Sequence, residues 1–316
     1  MRIVEWDELP PGTEEQVHMM DLSAGWTPQD FKTLKELIRL GYPASDYFAL
    51  FAMEGDQVLS TVRVLNLPVT TRLGTESVAA IQGVLTRYDQ SGKGLARKVL
   101  TEVHRRERSA GRRLSMLWTG RTSFSHDLYS SLGYSDFYTP QTAARRVTRG
   151  RQSDKRYAFR KVREADAGLL EQLHARATRG RLGFTPRPAG VVTSFFRFGL
   201  VRPGALRLVT FDERPIGYVE FQSGDGWAKS EEVVVEEERI SEVLSLLESL
   251  AGNKWLTLRG TFVGDASDEL KRRGYSISPL AYYGMMGLQL EGKSVDMAKE
   301  LGIPRRRFSC QLMDFF

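Results

Sequence analysis

One order of secondary-structure elements occurs twice in these 316 residues, on either side of a short basic stretch, and this repetition narrows the possible folds more than any single motif. In the first half, Ile3-Val4 reads as a short strand. Asp30 to Leu40 sets Phe31, Leu34, Leu37 and Ile38 at helical spacing, closed by Gly41. Tyr47 to Met53, a Glu54-Gly55-Asp56 turn and Gln57 to Leu67 read as a hairpin, and Ser77 to Thr86 as a further strand. A helix over Leu95 to Arg108, a strand over Leu114 to Trp118 and a helix over Ser125 to Leu132 complete the half. The second half gives a strand at Phe159 to Val162, a helix at Ala165 to Ala177, a hairpin over Leu206 to Phe221 and a strand near Glu231 to Val235. It ends with a helix at Ile240 to Leu250, a strand at Trp255 to Leu258 and a helix at Asp268 to Arg273. Each last helix meets a Gly-Tyr pair, Gly133-Tyr134 and Gly274-Tyr275. The expectation is two α/β domains descended from a duplication.

The charge is local. Lys and Arg number 45 against 39 Asp and Glu, a net +6, but Arg145 to Arg163 holds nine basic residues and one acid, Asp154. That segment carries +8 and leaves −2 for the rest, so the excess marks a junction and does not by itself argue for a nucleic-acid partner. Cys310 has no internal disulfide partner, and His18, His104, His126 and His174 are too scattered to indicate a metal cluster. No apolar run approaches the roughly 18 residues of a membrane span, and the first residues lack a signal-peptide pattern. A cytoplasmic protein with no membrane partner is the expectation.

Chemistry concentrates in Gln82 to Arg97, where a strand runs through a Gly92-Lys93-Gly94 turn directly into a helix. Backbone N–H groups at Gly92, Lys93, Gly94, Leu95 and Ala96 then converge at the positive helix end, a geometry that binds phosphate. The turn does not fit the P-loop Gly-x4-Gly-Lys-Ser/Thr. It also misses the dinucleotide fingerprint, because Arg97 holds the third glycine position and no acid sits near 112 to 115.

Ser91-Gly92-Lys93-Gly94-Leu95-Ala96 resembles the acyl-coenzyme A loop, Arg/Gln-x-x-Gly-x-Gly/Ala, of the GCN5-related N-acetyltransferases (GNAT), with Ser91 in place of the first Arg or Gln. Leu128-Tyr129-Ser-Ser-Leu-Gly133-Tyr134, whose Tyr129 falls 35 residues beyond Gly94, resembles the family's Leu-Tyr-x-x-x-Gly-Phe/Tyr signature. The resemblance implies two tandem GNAT-like domains, each a mixed, mostly antiparallel sheet flanked by helices. Residues 1–145 form the catalytic domain, 146–158 a basic linker and 159–316 a degenerate second domain. It implies acetyl-CoA as acyl donor, transfer to a primary amine by direct attack, and Tyr129 as the general acid that protonates the departing thiolate. It places the carbonyl oxygen near a strand N–H around Val84, Leu85 and Thr86, and Thr122 and His126 beside the pantetheine arm.

In the second half the loop position reads Glu236-Glu237-Glu238, which repels pyrophosphate, and Leu270 stands where the tyrosine would be. A looser resemblance, an active domain followed by a degenerate one, is to acetyltransferases of the enhanced intracellular survival type. In those the chain's terminal carboxylate approaches the acceptor amine, which makes the Phe316 carboxylate one candidate base beside Glu54, Glu76 and Asp127. The resemblance implies an acceptor pocket built from Trp26 to Tyr42 and whatever the second domain contributes, and a small-molecule amine is the expected acceptor, with aminoglycosides, polyamines, amino-acid derivatives and peptides open. Homodimerisation is open too. Two rival functions are a non-catalytic acyl-CoA-sensing module, and an acetyltransferase on protein or tRNA that docks through Arg145 to Arg163.

Overall fold

The computed structural model describes residues 1–26, 35–36, 38–40, 42, 44–148, 154–280, 282–292 and 295–303. Of the helix expected at Asp30 to Leu40, only Lys35, Glu36, Ile38 and Arg39 are described as helical, and Cys310 and Phe316 lie outside the described residues. The first unit contains β1 (Arg2–Glu5), α1 (Glu14–Ser23), β2 (Asp46–Glu54), β3 (Gln57–Thr71), β4 (Gly74–Thr86), α2 (Leu95–Ser109), β5 (Leu114–Gly120), α3 (Phe124–Ser130) and β6 (Ser135–Tyr138). Next come β7 (Gln141–Arg146), β8 (Tyr157–Lys161), α4 (Ala167–Ala177), α5 (Val191–Arg197), β9 (Leu206–Phe211), β10 (Arg214–Glu220), β11 (Gln222–Gly224), β12 (Trp227–Ser230), β13 (Val233–Val235) and α6 (Ile240–Ala251). The last elements are β14 (Trp255–Arg259), α7 (Thr261–Asp265), α8 (Ser267–Arg272), β15 (Ser276–Pro279), β16 (Tyr283–Gln289) and α9 (Met297–Glu300).

The sheet topology redraws the domain boundary. One seven-stranded sheet runs β1-β2-β3-β4-β5-β16-β6, so a strand from near residue 283 stands between two strands of the first half. Reciprocally, a five-stranded sheet runs β11-β12-β14-β7-β15, with β7 of the first half between β14 and β15. Each half thus lends one strand to the other. The boundaries expected at 145/146 and 158/159 do not separate the sheets, because Gln141–Arg146 belongs to the second unit and Tyr283–Gln289 to the first. Backbone hydrogen bonding explains why a single cut fails: β5 pairs with β16 along its whole length, Leu114 to Gly120 against Gln289 to Tyr283. A four-stranded sheet, β13-β10-β9-β8, completes the second unit.

Burial binds the halves further. Core residues of α1 (Val17, Met20) and of one face of the first sheet (Leu65, Leu67, Met116) form a single cluster with Leu170, Phe195, Leu208 and Tyr218 of the second unit. The other face packs under α2 and α3 through Val62, Val64, Val99, Leu117 and Tyr129.

The duplication survives in detail. Tyr134 N–H donates to Tyr129 O at 3.1 Å, and Tyr275 N–H to Leu270 O at 3.0 Å. Each Gly-Tyr tyrosine also bonds the long helix of its own unit, Tyr134 to His104 at 2.9 Å and Tyr275 to Glu248 at 3.2 Å.

A fragment ending at residue 145 lacks β16 and the second unit's share of the core, and it leaves the β5 edge unpaired. Such a fragment will show no cooperative thermal transition by circular dichroism and will aggregate, whereas the full chain melts cooperatively.

Candidate active site

The site begins where two neighbouring strands part. β4 and β5 pair in parallel only at Ala79↔Ser115 and Ala80↔Met116; beyond that β4 stays with β3 and β5 with β16. The gap is a cleft of about 480 Å³, bounded by Ile81 to Val84 on one side and Met116 to Gly120 on the other. A bulge in β4 shapes its edge: Thr61 pairs with Leu85 but Arg63 with Gln82, so Gly83 and Val84 oppose one residue of β3. Gly83 has φ +50°, and a Cβ there would lie 2.8 Å from Cδ of Arg63. Arg63 cannot retreat, because its guanidinium is buried and donates to both carboxylate oxygens of Asp21 on α1, at 2.7 and 2.8 Å.

Tyr129 enters from α3. It is buried and lines the cleft, and among the described residues its hydroxyl has no hydrogen-bond partner. Burial pushes its pKa up to about 12, so it is a protonated phenol throughout the neutral range. Tyr134 packs edge-on against it at 5.8 Å. That ring is fixed in turn, since its hydroxyl lies 2.9 Å from His104 Nε2 and 2.7 Å from Ser115 Oγ. The imidazole is kept neutral, its pKa lowered to about 4 by burial and then by Arg108.

Ser91, Gly92, Lys93 and Gly94 form an exposed turn between β4 and α2, with Gly92 at φ +77° and Gly94 at φ +73°. Nothing crowds either glycine, so backbone conformation and not space demands them. No side chain caps α2, and no described acceptor takes the N–H groups of residues 92–97. Leu95 is buried under the helix and Ala96 is half-buried. Lys93 Nζ donates to Gln90 Oε1 at 2.8 Å.

Several expected positions lie elsewhere. Of the three residues expected to flank the carbonyl oxygen, Val84 lines the cleft, whereas Leu85 and Thr86 are paired with β3 beyond the bulge, where Ser60 Oγ bonds Leu85 O and Thr86 Oγ1. Thr122 is exposed in a turn, and His126 points to Asp136, 2.9 Å away, because the start of α3 turns both out of the cleft. Ser123 and Ser125 stand there instead, bonded to each other at 2.6 Å, with Ser125 bonded to Thr119 at 2.9 Å. Glu54, Glu76 and Asp127 do not line the cleft, and Glu76, at the far end of β4, is tied to Arg113. Tyr282 and Tyr283 line it from β16 and its approach.

The second unit has no counterpart among the described residues. There β13 and β14 share no pairing, and β12 takes the place beside β14. A short 3-10 turn over Glu237–Arg239 leads into α6, and Leu270 is fully buried.

The family model of the acetyltransferase (GNAT) domain matches residues 13–137. Residues 13–137 thus carry a GNAT domain. Curated proteins give no match in sequence. Among solved structures, a conserved protein of unknown function from Enterococcus faecalis V583, a probable N-acyltransferase, superposes with a TM-score of 0.73 at 14% identity, over 92% of this chain and 72% of that one. Eis1 from Mycobacterium abscessus gives 0.60 at 15% identity, over 92% and 74%. A tandem GNAT protein from the clavulanic acid biosynthesis pathway gives 0.55 at 14%, over 93% of this chain and all (100%) of that one. At such identities the likeness is one of fold, and it supports two GNAT-like domains in tandem.

Gly83→Ala places a methyl group against the pinned Arg63 and will destabilise the GNAT domain by about 1 to 3 kcal/mol in denaturant unfolding. His104 yields a pH prediction. Its pKa falls from about 6.5 unfolded to about 4 folded, so the unfolded chain binds more protons between those values. The stability from keeping it neutral is complete above pH 6.5 and is lost as pH falls toward 4. The melting temperature will drop across that window, and His104→Gln will flatten the slope, leaving the part due to buried His174, whose pKa is lowered in the same direction.

Proposed function

We propose that the chain is an acetyl-CoA-dependent N-acetyltransferase that passes the acetyl group directly to a primary amine in a ternary complex, with Tyr129 as general acid. The observation that carries this reading is the Tyr129 phenol, protonated and without a described hydrogen-bond partner, facing the gap between β4 and β5. The donor's pyrophosphate lies on the amides of Gly92 to Ala96, where the α2 dipole favours negative charge. Its pantetheine arm runs along the unpaired edge of β4 into the cleft, and an N–H of the Gly83-Val84 bulge donates to the thioester carbonyl oxygen.

The amine nitrogen attacks the carbonyl carbon and a C–N bond forms. The tetrahedral adduct sheds its N–H proton to water, the C–S bond breaks, and the thiolate takes the Tyr129 proton, which water restores. No covalent enzyme intermediate arises. In the second domain, Glu236 to Glu238 and Leu270 replace the donor loop and the acid, and that domain does not turn over.

Tyr129→Phe will lower kcat by about a hundredfold or more, measured as thiol release from acetyl-CoA, while heat stabilisation by coenzyme A stays as in the wild type. Unchanged turnover in that variant would remove the acid role. Stabilisation by coenzyme A without thiol release from any amine would favour the acyl-CoA-sensing alternative. In the wild type, no alkaline limb assignable to Tyr129 will appear below about pH 10, because the phenol is held above its ordinary value.

A further inference from the structure

The cleft has two unlike faces. Strand alternation puts Leu117, under α2 and α3, on the Tyr129 side, and it puts Met116 on the α1 side. Trp118 follows Met116 onto the α1 side, Arg63 follows Leu65, and Tyr283 follows Met285. Trp26 stands just beyond the end of α1. The donor as proposed enters on the Tyr129 side, so the α1 side is where an acceptor arrives. That side is aromatic. Trp26, Trp118, Tyr282 and Tyr283 all line the cleft, and all remain open to solvent, at 43%, 37%, 54% and 49% exposure. Four such exposed rings in one cleft form an amphipathic surface that core packing does not explain.

Two of the rings belong to the second half of the chain. Tyr282 lies over Gly120, where a Cβ would come within 3.3 Å of its ring, and Tyr282 O accepts from Arg121 N at 2.8 Å. Tyr282 and Tyr283 meet edge to face at 4.7 Å, which fixes both. Arg63 is the single charged side chain among the described lining residues, and it is a cation whose charge Asp21 balances. An extended polycation would thus meet aromatic faces and a guanidinium here, with no described carboxylate to receive its further ammonium groups. A lone amine on an apolar ring meets surfaces that match it, and desolvation against those rings favours the neutral, nucleophilic form of the amine.

Resting on the acetyltransferase reading, we infer that the acceptor is a primary amine borne on a flat aromatic body, an arylalkylamine or arylamine. It is held on the α1 face between Trp26 and Trp118 of the first half and Tyr282 and Tyr283 of the second. The exchanged strand thereby makes the second domain part of the acceptor site.

The test uses the full chain and acetyl-CoA with tryptamine and phenethylamine against spermidine and kanamycin, following thiol release. The expected result is kcat/KM for the aromatic amines at least tenfold above that for the polycations. Tyr282→Ala and Trp118→Ala will raise KM for tryptamine about tenfold, and Tyr282→Phe will restore it. KM for acetyl-CoA and heat stabilisation by coenzyme A will be unchanged in all three, which also shows that the variants fold. Polycations used as well as or better than aromatic amines, or an unaltered tryptamine KM in both alanine variants, overturns the inference and leaves the acetyltransferase reading standing. Absence of thiol release from every amine, together with absence of stabilisation by coenzyme A, overturns both.

Discussion

The backbone pairing between β5 and β16 is the contact on which the rest of the structure depends. It satisfies one edge of β5 with a strand that arrives from beyond residue 280, and so it frees the opposite edge to part from β4. A strand with both edges loose would collapse onto its neighbours or recruit another chain. Held by β16, β5 can afford two shared pairs with β4 and then diverge. The same strand delivers Tyr282 and Tyr283 to the cleft, so the element that stabilises the gap also furnishes one of its walls.

On the facing side, the bulge at Gly83 and the buried Arg63–Asp21 pair do complementary work. The extra residue turns the β4 edge toward the gap, and the glycine lets the Arg63 stem pass beneath it. Burying a charge pair is costly unless both partners are well bonded, and the two contacts to Asp21 meet that condition. Behind Tyr129, the His104–Tyr134–Ser115 network serves the same end by other means: buried polar groups that satisfy one another hold the ring against which the proposed acid rests.

Much of the fold was legible from local pattern. α2, with Val99, Leu100 and Val103 on one face, and α6, with Val243, Leu244 and Leu247, were visible because amphipathic periodicity is a local property. The hairpin of β2 and β3 announced itself through Glu54-Gly55-Asp56. α1 escaped notice because its apolar residues are not confined to one face. β7, Gln141–Arg146, straddles the boundary expected at 145/146, and nothing in its composition signals a central strand. β16 carries glycines and methionines that blur any strand alternation, although Tyr283 and the Tyr282 just before it are a usable hint.

The sequence by itself determined the duplication, the glycine turn before α2, the tyrosine signature that ends in Gly133-Tyr134 and the loss of both features from the second half. Each depends on residues close together in the chain, where spacing and backbone preference suffice. Only the tertiary structure decided which strand stands beside β5, that Arg63 and Asp21 meet, that Ser123 and Ser125 replace Thr122 and His126 at the cleft, and that the second half contributes to the first half's site. These include pairings across as many as 175 residues, Leu114 with Gln289, and strand partners at that range are chosen by shared burial and hydrogen-bond satisfaction, which no local pattern encodes.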